Sequence, residues 1–324
     1  MKLLQNSNKP ALIFKNDQVS FDQLIGVTAV YARLVAAASG DRVAIFSENR
    51  PEWVYAFYAA WRKHAIPVPI DAMASVDEIA YILKDSTPVA VFVSPKNVET
   101  MEKAIAMAEC QTKLIVFTDI AIPATIPDED KVFPEAADDD TAVIIYTSGT
   151  TGSPKGVMLS YENLRANLIA VSEQVPIYKA TDRVMILLPL HHVLPLQGTL
   201  IMPLSINATC VMSPSMVAAD ILQTLADHHV TLFVGVPRLY ILLRDSMKSR
   251  IRQSKVASAL FALAAAVNSL AFSRVIFKSV QKKFGGAMRH MPCGGASLDP
   301  QVVKDFRTLG FEILMGYGMT ETAP

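Results

Sequence analysis

Short apolar runs alternate along the chain with longer segments whose apolar residues recur at helical spacing. The apolar runs predict strands, because a strand that is buried on both faces reads as a continuous hydrophobic stretch. In the first half of the chain these runs are residues 42–46, 66–70, 88–93, 114–118 and 142–146. The helices expected between them are 51–64, 75–84 and 97–108. Strands that alternate with helices indicate parallel βαβ units and therefore an α/β fold.

The same alternation continues in the second half of the chain. Ser160 is expected to cap a helix that ends near Gln174. The later strands are expected at residues 183–188, 208–212, 231–235, 288–291 and 311–315. Segment 119–140 has eight acidic residues, one lysine and three prolines, which predicts a surface connection. So many strands favour two sheets over one.

Composition excludes several classes of protein. With 324 residues, 51% of them hydrophobic and 19% charged, the chain can bury a large core, so disordered and fibrous classes are excluded. Thirty Lys and Arg balance thirty Asp and Glu, so the overall basic excess of a nucleic-acid binder is missing. Three scattered cysteines fit neither a disulfide framework nor a zinc site, and they predict a reduced, cytoplasmic setting. The N-terminus has no apolar signal-peptide region, and no membrane span is expected.

The segment Tyr146–Gly156, YTSGTTGSPKG, carries the clearest chemical signal. Its glycines let backbone N–H groups approach an anion, its hydroxyl groups add donors, and Lys155 adds a positive charge. This combination suits a polyphosphate. The spacing differs from that of a Walker A loop, since Pro154 stands where the second glycine would be. The alternative for the loop taken alone is a mobile polar connection.

Tyr146–Gly156 closely resembles the phosphate-loop signature of the adenylate-forming, or AMP-binding, enzymes. Gly294–Leu298 resembles the adenine-side turn of that family, and Gly316–Thr322 resembles its second nucleotide motif. Gly40–Ala44 and Asn49–Trp53 resemble early family blocks, so the resemblance covers essentially the whole chain.

The resemblance implies an acyl-CoA synthetase-like large N-terminal domain over residues 1–324. It would contain two βαβ subdomains whose mainly parallel sheets are flanked by helices. We expect one subdomain at about 70–180 and the other at 1–69 plus 181–324.

The resemblance also implies roles for individual residues, with ATP and Mg²⁺ as cofactors and CoA as co-substrate. Thr147 and Glu321 would hold Mg²⁺, Lys155 would neutralise phosphate charge, and Thr320 would contact the α-phosphate. The cradle for the β- and γ-phosphates would consist of Ser148, Gly149, Thr150, Thr151 and Gly152. Adenine would lie beside Gly294, Gly295, Ala296, Tyr317, Gly318 and Met319. For Tyr317 alone, the alternative is a half-buried tyrosine at a strand end.

His191 and His192 follow a predicted strand, and the family places one histidine here beside the carboxylate and acyl group. The Pro-Leu-x-His-Val pattern points to His192. We interpret it as an orienting residue and not a general base, because a fatty carboxylate is already ionised at pH 7. Zinc binding is disfavoured because no metal-ligand cluster lies nearby. The catalytic set is therefore Thr147, Lys155, His192, Thr320 and Glu321.

Segment 238–290 has eleven Lys and Arg but one acid, Asp245, and it contains the charge-free run 256–273. An apolar helix framed by cations could rest on an anionic membrane surface, at the inner face of the membrane. The alternative is a solvated basic helix that covers the core. The length of the segment resembles the long-chain fatty acyl-CoA synthetase branch. An acyl tunnel is expected beside Val193–Leu200 and Phe233–Val236.

The family continues beyond the second nucleotide motif with a ribose-binding Asp, a hinge and a C-terminal domain that carries a catalytic Lys. No such motif occurs here, so we expect a truncated product with an incomplete β-barrel subdomain, no C-terminal domain, and weak or no activity. The parent is expected to activate a fatty acid with ATP and transfer it to CoA. The alternatives are a fatty acyl-AMP ligase, an aryl- or other acyl-CoA ligase, and a non-catalytic nucleotide- or lipid-binding protein. The sequence does not indicate the oligomeric state.

Overall fold

The computed structural model describes residues 3–123, 126–147 and 154–323. Within them the strands are β1 Pro10–Phe14, β2 Asp17–Ser20, β3 Arg42–Phe46, β4 Ile66–Ile70, β5 Ala90–Val93, β6 Lys113–Val116, β7 Thr141–Thr147, β8 Lys155–Ser160, β9 Arg183–Ile186, β10 Thr209–Met212, β11 Leu232–Phe233, β12 Met291–Cys293 and β13 Ile313–Met315. The α-helices are α1 Phe21–Arg33, α2 Pro51–Arg62, α3 Val76–Ser86, α4 Val98–Ala108, α5 Tyr161–Ile169, α6 Val193–Pro195, α7 Met202–Ser205, α8 Ala218–Asp227, α9 Pro237–Arg252, α10 Lys255–Val267, α11 Leu270–Ile276, α12 Lys278–Lys283 and α13 Pro300–Thr308. Two π-helical stretches cover Ala170–Gln174 and Leu196–Ile201, and 3₁₀ turns cover Pro95–Asn97, Phe117–Asp119, Asp128–Lys131 and Thr320–Thr322.

Two larger sheets and two two-stranded sheets are present in the described ranges. One sheet has the order β11-β9-β10-β1-β2 and is parallel except for the antiparallel β1–β2 pair. The other has the order β4-β3-β5-β6 and is entirely parallel. β7 and β8 form an antiparallel pair, and β12 and β13 form a parallel pair. The predicted α/β fold is confirmed.

The two larger sheets and the three sets of helices that cover their faces form five layers. In β3, Val43 and Ile45 join the core that contains α1 and α2, whereas Ala44 and Phe46 face α3 and α4. In β10, Cys210 also faces the core of α1 and α2. The opposite face of that sheet joins a second core with α8, α9 and α13. Since successive strand residues point to opposite faces, α1 and α2 form a middle layer between the two sheets.

Local signals account for several of the element ends. Ser75 caps α3, and Glu78 bonds back to the Ser75 backbone, which confirms that capping box. Helix α2 begins at Pro51, but it ends at Arg62 instead of the expected residue 64. His64 adopts a left-handed conformation with φ of 53°, which cannot continue the helix.

The strand expected at 288–291 was placed too early in the chain, since β12 covers Met291–Cys293. The N–H groups of Arg289 and His290 both donate to the Thr231 carbonyl, and the Arg289 side chain is ion-paired with Asp182 at 2.6 Å. These contacts fix residues 289–290 beside β11 before the pairing with β13 begins.

The subdomain boundary expected near residue 70 stays a prediction. β3 and β4 pair in one sheet with β5 and β6, so residues on both sides of that boundary share one hydrogen-bonded sheet. Across the described residues, no helix is both long and apolar enough to cross a membrane.

Candidate functional site

A cleft of about 680 Å³ lies where both nucleotide motifs meet the segment that follows His192. Its lining residues are Val171, Ile177, Tyr178, Leu188, Pro189, His192, Val193, Leu194, Pro195, Gly198, Met202, Val236, Pro292, Cys293, Gly294, Gly295, Leu314, Met315, Gly316, Tyr317, Gly318, Met319 and Thr320. One side is mainly apolar, and the other consists of glycine-rich turns. The cleft therefore combines features suited to an apolar group and to a nucleotide.

The two glycine-rich turns meet because β12 and β13 are parallel neighbours. Cys293 ends β12 opposite Met315, which ends β13, so both strands release their chains at one edge of the sheet. The Gly316 N–H donates to the Cys293 carbonyl at 2.8 Å and ties the two turns together. This pairing brings Gly294, Gly295 and residues 317–320 into one wall of the cleft, and their contact with adenine stays a prediction.

Glycine suits two positions in this wall for different reasons. A Cβ atom on the buried Gly294 would lie 3.0 Å from Cδ2 of Leu194, on the facing side of the cleft. Gly295 has φ of +83°, a conformation that residues with a side chain rarely adopt. The turn can therefore approach its neighbours and expose backbone at the cleft.

Tyr317 lies almost completely in solvent, with 92% of its surface exposed. The alternative of a half-buried tyrosine at a strand end is therefore wrong. An exposed ring at the edge of a cleft is available to stack on a flat ligand such as adenine. Gly318, Met319 and Thr320 complete the same wall, whereas Ala296 and Glu321 lie just beyond it.

The predicted phosphate loop is carried by the β7–β8 hairpin. Thr147 at the end of β7 stands opposite Lys155 at the start of β8. Ser148, Gly149, Thr150, Thr151 and Gly152 lie outside the described residues. Lys155 is exposed, so its ammonium group is available to a ligand.

Glu321 lies near the same hairpin. The 3₁₀ turn Thr320–Thr322 comes within 8 Å of β8, measured between Cα atoms. Thr322 holds this turn, since its hydroxyl donates to the Met319 carbonyl at 2.9 Å. Thr147 and Glu321 supply hydroxyl and carboxylate oxygens, which suit Mg²⁺. Among the residues described, no three His, Cys, Asp or Glu side chains cluster as a metal site, so the fit requires phosphate or water oxygens as further ligands.

His192 reaches the cleft from the turn that follows β9. Its ring lies 4.0 Å from the ring of His191, centroid to centroid, and Nε2 of His191 is 3.7 Å from a carboxylate oxygen of Asp71. Burial and, to a smaller extent, the neighbouring His192 lower the pKa of His191 to about 4, while Asp71 opposes the shift. Burial also lowers the pKa of His192, with Asp71 again opposing. Both rings are therefore neutral at pH 7, which fits an orienting role for His192.

Asn49 fixes the turn that carries His192, a role that the sequence did not indicate. Its Nδ2–H donates to the Leu188 carbonyl at 2.8 Å, and its Oδ1 accepts from the Leu190 N–H at 3.0 Å. These two bonds hold the chain on both sides of Pro189. Asn49 lies in the segment Asn49–Trp53, which resembles an early block of the family. No other feature of the sequence pointed to this residue.

Sequence reasoning also missed Tyr178 and Met202 in the cleft wall. The Tyr178 hydroxyl donates to the Gly198 carbonyl at 2.8 Å, and both residues line the cleft. Tyr178 lies in a connecting segment with no periodic pattern, so only the tertiary structure identifies it.

Both the sequence and the fold match known proteins. The model of a family described as AMP-binding enzyme matches residues 2–324. The chain is 29% identical over 297 residues to mitochondrial malonate–CoA ligase ACSF3 of Bos taurus, covering 89% of this chain and 47% of that protein. It is 27% identical over 318 residues to the peroxisomal long chain acyl-CoA synthetase 7 of Arabidopsis thaliana, covering 88% of this chain and 45% of that protein.

Among solved structures, ATP-bound MatB from Rhodopseudomonas palustris superposes with a TM-score of 0.77 at 24% identity. The match covers 98% of this chain and 58% of MatB, and it confirms the fold. The chain spans about half the length of the two curated relatives above.

Proposed function

Because the chain belongs to the AMP-binding enzyme family, we propose that it is the nucleotide- and acid-binding part of an acyl-CoA ligase. The observation that supports this most directly is the shared cleft, in which His192 and an apolar wall face the glycine turns of two nucleotide motifs. An acyl group and a nucleotide bound there would lie side by side, as the formation of an acyl adenylate requires.

In the proposed reaction a carboxylate oxygen of the acid attacks the α-phosphorus of ATP, and pyrophosphate leaves. The CoA thiolate then attacks the acyl carbon, and AMP leaves with the electron pair of the broken bond. The first step converts an unreactive carboxylate into an anhydride with a good leaving group. Neutral His192 would orient the carboxylate, and Thr320 would contact the α-phosphate.

Phosphate binding would rest on Lys155 and Thr147, which face each other across the hairpin. Mg²⁺, held by Thr147 and Glu321, would neutralise charge on the departing pyrophosphate. Tyr317 and the turn Gly294–Ala296 would flank adenine. The phosphate-loop residues from Ser148 to Gly152 stay a prediction.

For the acid we propose an apolar group, with a long-chain fatty acid as the leading candidate. None of the lining residues that the structure describes is Lys, Arg, Asp or Glu. A second carboxylate, such as that of malonate, would lose its hydration there without gaining a cation as partner. The lining therefore favours a fatty or aryl acid over a dicarboxylate, although one relative is named as a malonate ligase.

A fatty acyl-AMP ligase and an aryl-CoA ligase would use the same cleft, so they remain the alternatives within the enzyme class. A non-catalytic nucleotide- or lipid-binding protein is the alternative outside it. We further propose a cytoplasmic location, supported by three free cysteines, and a peripheral membrane contact through residues 238–290.

The proposed class of acid can be tested with acyl-sulfamoyl adenosines. These compounds mimic the acyl adenylate without a hydrolysable phosphate. Calorimetry should show tightest binding for a dodecanoyl analogue and at least tenfold weaker binding for a malonyl analogue. A feruloyl analogue bound as tightly as the dodecanoyl one would favour the aryl alternative. Tightest binding of the malonyl analogue would overturn the proposed acid class, and no binding of any analogue would overturn the ligase proposal.

A further inference from the structure

We propose that the outward side of α10 docks on an anionic lipid bilayer. This α10 face consists of Val256, Ala259, Ala262, Leu263, Ala266 and Val267, all of which are exposed. The proposal rests on the membrane contact proposed above, and it adds which residues insert and which lipid charge they select.

Helix α10 is apolar on both sides, although it lies at the surface. After Lys255 its sequence is VASALFALAAAV, with Ser258 as the one polar side chain. Its inner side includes the buried Ala264 and the partly buried Leu260 and Phe261, which pack on the core below. A surface helix of a globular protein normally presents polar residues outward, so the composition of this outer side requires an apolar environment to cover it.

The largest side chains of the α10 face gather along one line. Val256 is 70% exposed, Leu263 50% and Val267 45%. At 100° per residue these three positions fall within about 40° of one another on the helix surface. Such a line of apolar side chains suits a helix that lies flat in the interfacial region of a bilayer.

Cations precede this line in the chain and would select the charge of the partner. Arg250 and Arg252 lie in the last turn of α9, and Lys255 begins α10, so all three are close in sequence to Val256. They are exposed, and they form no ion pair within the part of the chain that the structure describes. Lys278, Lys282 and Lys283 on α12 are likewise exposed and unpaired there.

Three other cations of the segment are paired with acids. Lys248 is bonded to Asp305 at 2.8 Å, Arg244 to the neighbouring Asp245 at 2.8 Å, and Arg289 to Asp182. The six cations named before them, at the α9–α10 junction and on α12, form no ion pair among the described residues. A second copy docked on the same face would bring cations against cations, whereas a bilayer that contains anionic lipid would satisfy them.

Vesicle sedimentation tests the proposal with the full chain and three variants. The first carries Arg250→Gln, Arg252→Gln and Lys255→Gln, and the second carries Leu263→Gln, which preserves charge and helix propensity. The matched control carries Lys15→Gln, Lys84→Gln and Lys179→Gln, three exposed lysines elsewhere on the molecule. Thermal melting should show that all of them fold like the unaltered chain.

We expect the unaltered chain to bind phosphatidylcholine vesicles that contain about one third phosphatidylglycerol, and to leave them as salt rises to about 0.5 M. The first variant should bind up to about 100-fold more weakly, at roughly fivefold per cation. Leu263→Gln should weaken binding by about tenfold. The control should bind like the unaltered chain.

Equal binding to pure phosphatidylcholine, or an equal loss in the control, would overturn the proposal, and so would unchanged binding by Leu263→Gln. A dimer that Leu263→Gln dissociates in sedimentation velocity would assign the face to a second copy instead. Binding of the dodecanoyl analogue should persist in all variants. A chain that binds vesicles but no analogue would contradict the ligase proposal alone.

Discussion

Asn49 holds the turn that carries His192 and so links the stability of the fold to ligand binding. Asn49 bonds the backbone on both sides of Pro189, and His192 follows three residues later. Since Asn49 and the turn are far apart in sequence, no local pattern announces the contact. The motif predicted that His192 faces the cleft, whereas the side chain that holds it there became visible only in the structure.

Replacing Asn49 by Ala should lower the free energy of unfolding by about 1–3 kcal/mol, because two backbone groups lose their partner. It should also weaken binding of the acyl-sulfamoyl adenosine, since His192 loses its fixed position. Asn49→Asp can still accept from the Leu190 N–H and should show a smaller loss of both. Urea unfolding and calorimetry measure the two effects. The control is Asn167→Ala on α5, which removes only a long hydrogen bond of 3.4 Å from the Asn167 side chain to the Asn163 carbonyl. It should change neither quantity.

His191 should make stability depend on pH. Its side chain is only 12% exposed, and its pKa falls from about 6.5 to about 4 on folding. Below pH 6.5 the unfolded chain therefore binds a proton that the folded chain refuses, so this contribution is complete above pH 6.5 and is lost as the pH falls toward 4.

Between pH 7 and pH 5 the loss that His191 causes should be on the order of 2 kcal/mol. Urea unfolding at both pH values should show a smaller decrease for His191→Gln than for the unaltered chain. His228→Gln, which directly follows α8 and does not line the cleft, should retain the full decrease. An identical decrease in His191→Gln and the unaltered chain would contradict the assignment of this pH dependence to His191.

Among the elements, the β7–β8 hairpin shows both what local pattern can predict and where it fails. The apolar run of β7 was predicted within one residue at each end. β8 was not predicted, because KGVMLS has a lysine and a glycine at its start and no strict alternation. Its strand conformation depends on pairing with β7, which precedes the phosphate loop in the chain. Such pairing cannot be predicted from the few residues of β8 alone.

The position of Lys155 in the hairpin predicts that this residue contributes to ligand binding but hardly to the stability of the fold. Lys155→Ala should weaken Mg-ATP binding by about tenfold or more, because a charge-assisted contact to phosphate is lost. Its exposed position means that the free energy of unfolding should stay within about 0.5 kcal/mol. Calorimetry and urea unfolding measure the two quantities, with Lys84→Ala as the exposed control. An unchanged ATP affinity would remove Lys155 from the phosphate site.

At the scale of the whole molecule, the periodicity predicted an α/β protein but not its five layers. A continuous apolar run such as 42–46 indicates a strand that is covered on both faces. It does not say which helices cover it, and here α1 and α2 serve two sheets at once. The motifs named Gly294, Gly295 and residues 317–320 as binding residues, and the structure places them in one cleft because the carboxyl ends of β12 and β13 meet at one edge. Its apolar wall depends on tertiary contacts of Tyr178 and Met202, for which the sequence offers no signal.

The close approach of Gly294 to Leu194 has a thermodynamic consequence. In the proposed function one residue lies on the adenine side and the other on the acyl side, and a Cβ atom added to Gly294 would lie 3.0 Å from Leu194 Cδ2. A ligand that pushed either residue toward the other would then affect the second ligand's site, and the two binding equilibria would be linked. By reciprocity, the factor by which nucleotide changes the affinity for the acid must equal the factor by which the acid changes the affinity for nucleotide. Cooperativity between the two substrates would then act through the narrow gap between Gly294 and Leu194, whichever substrate arrives first.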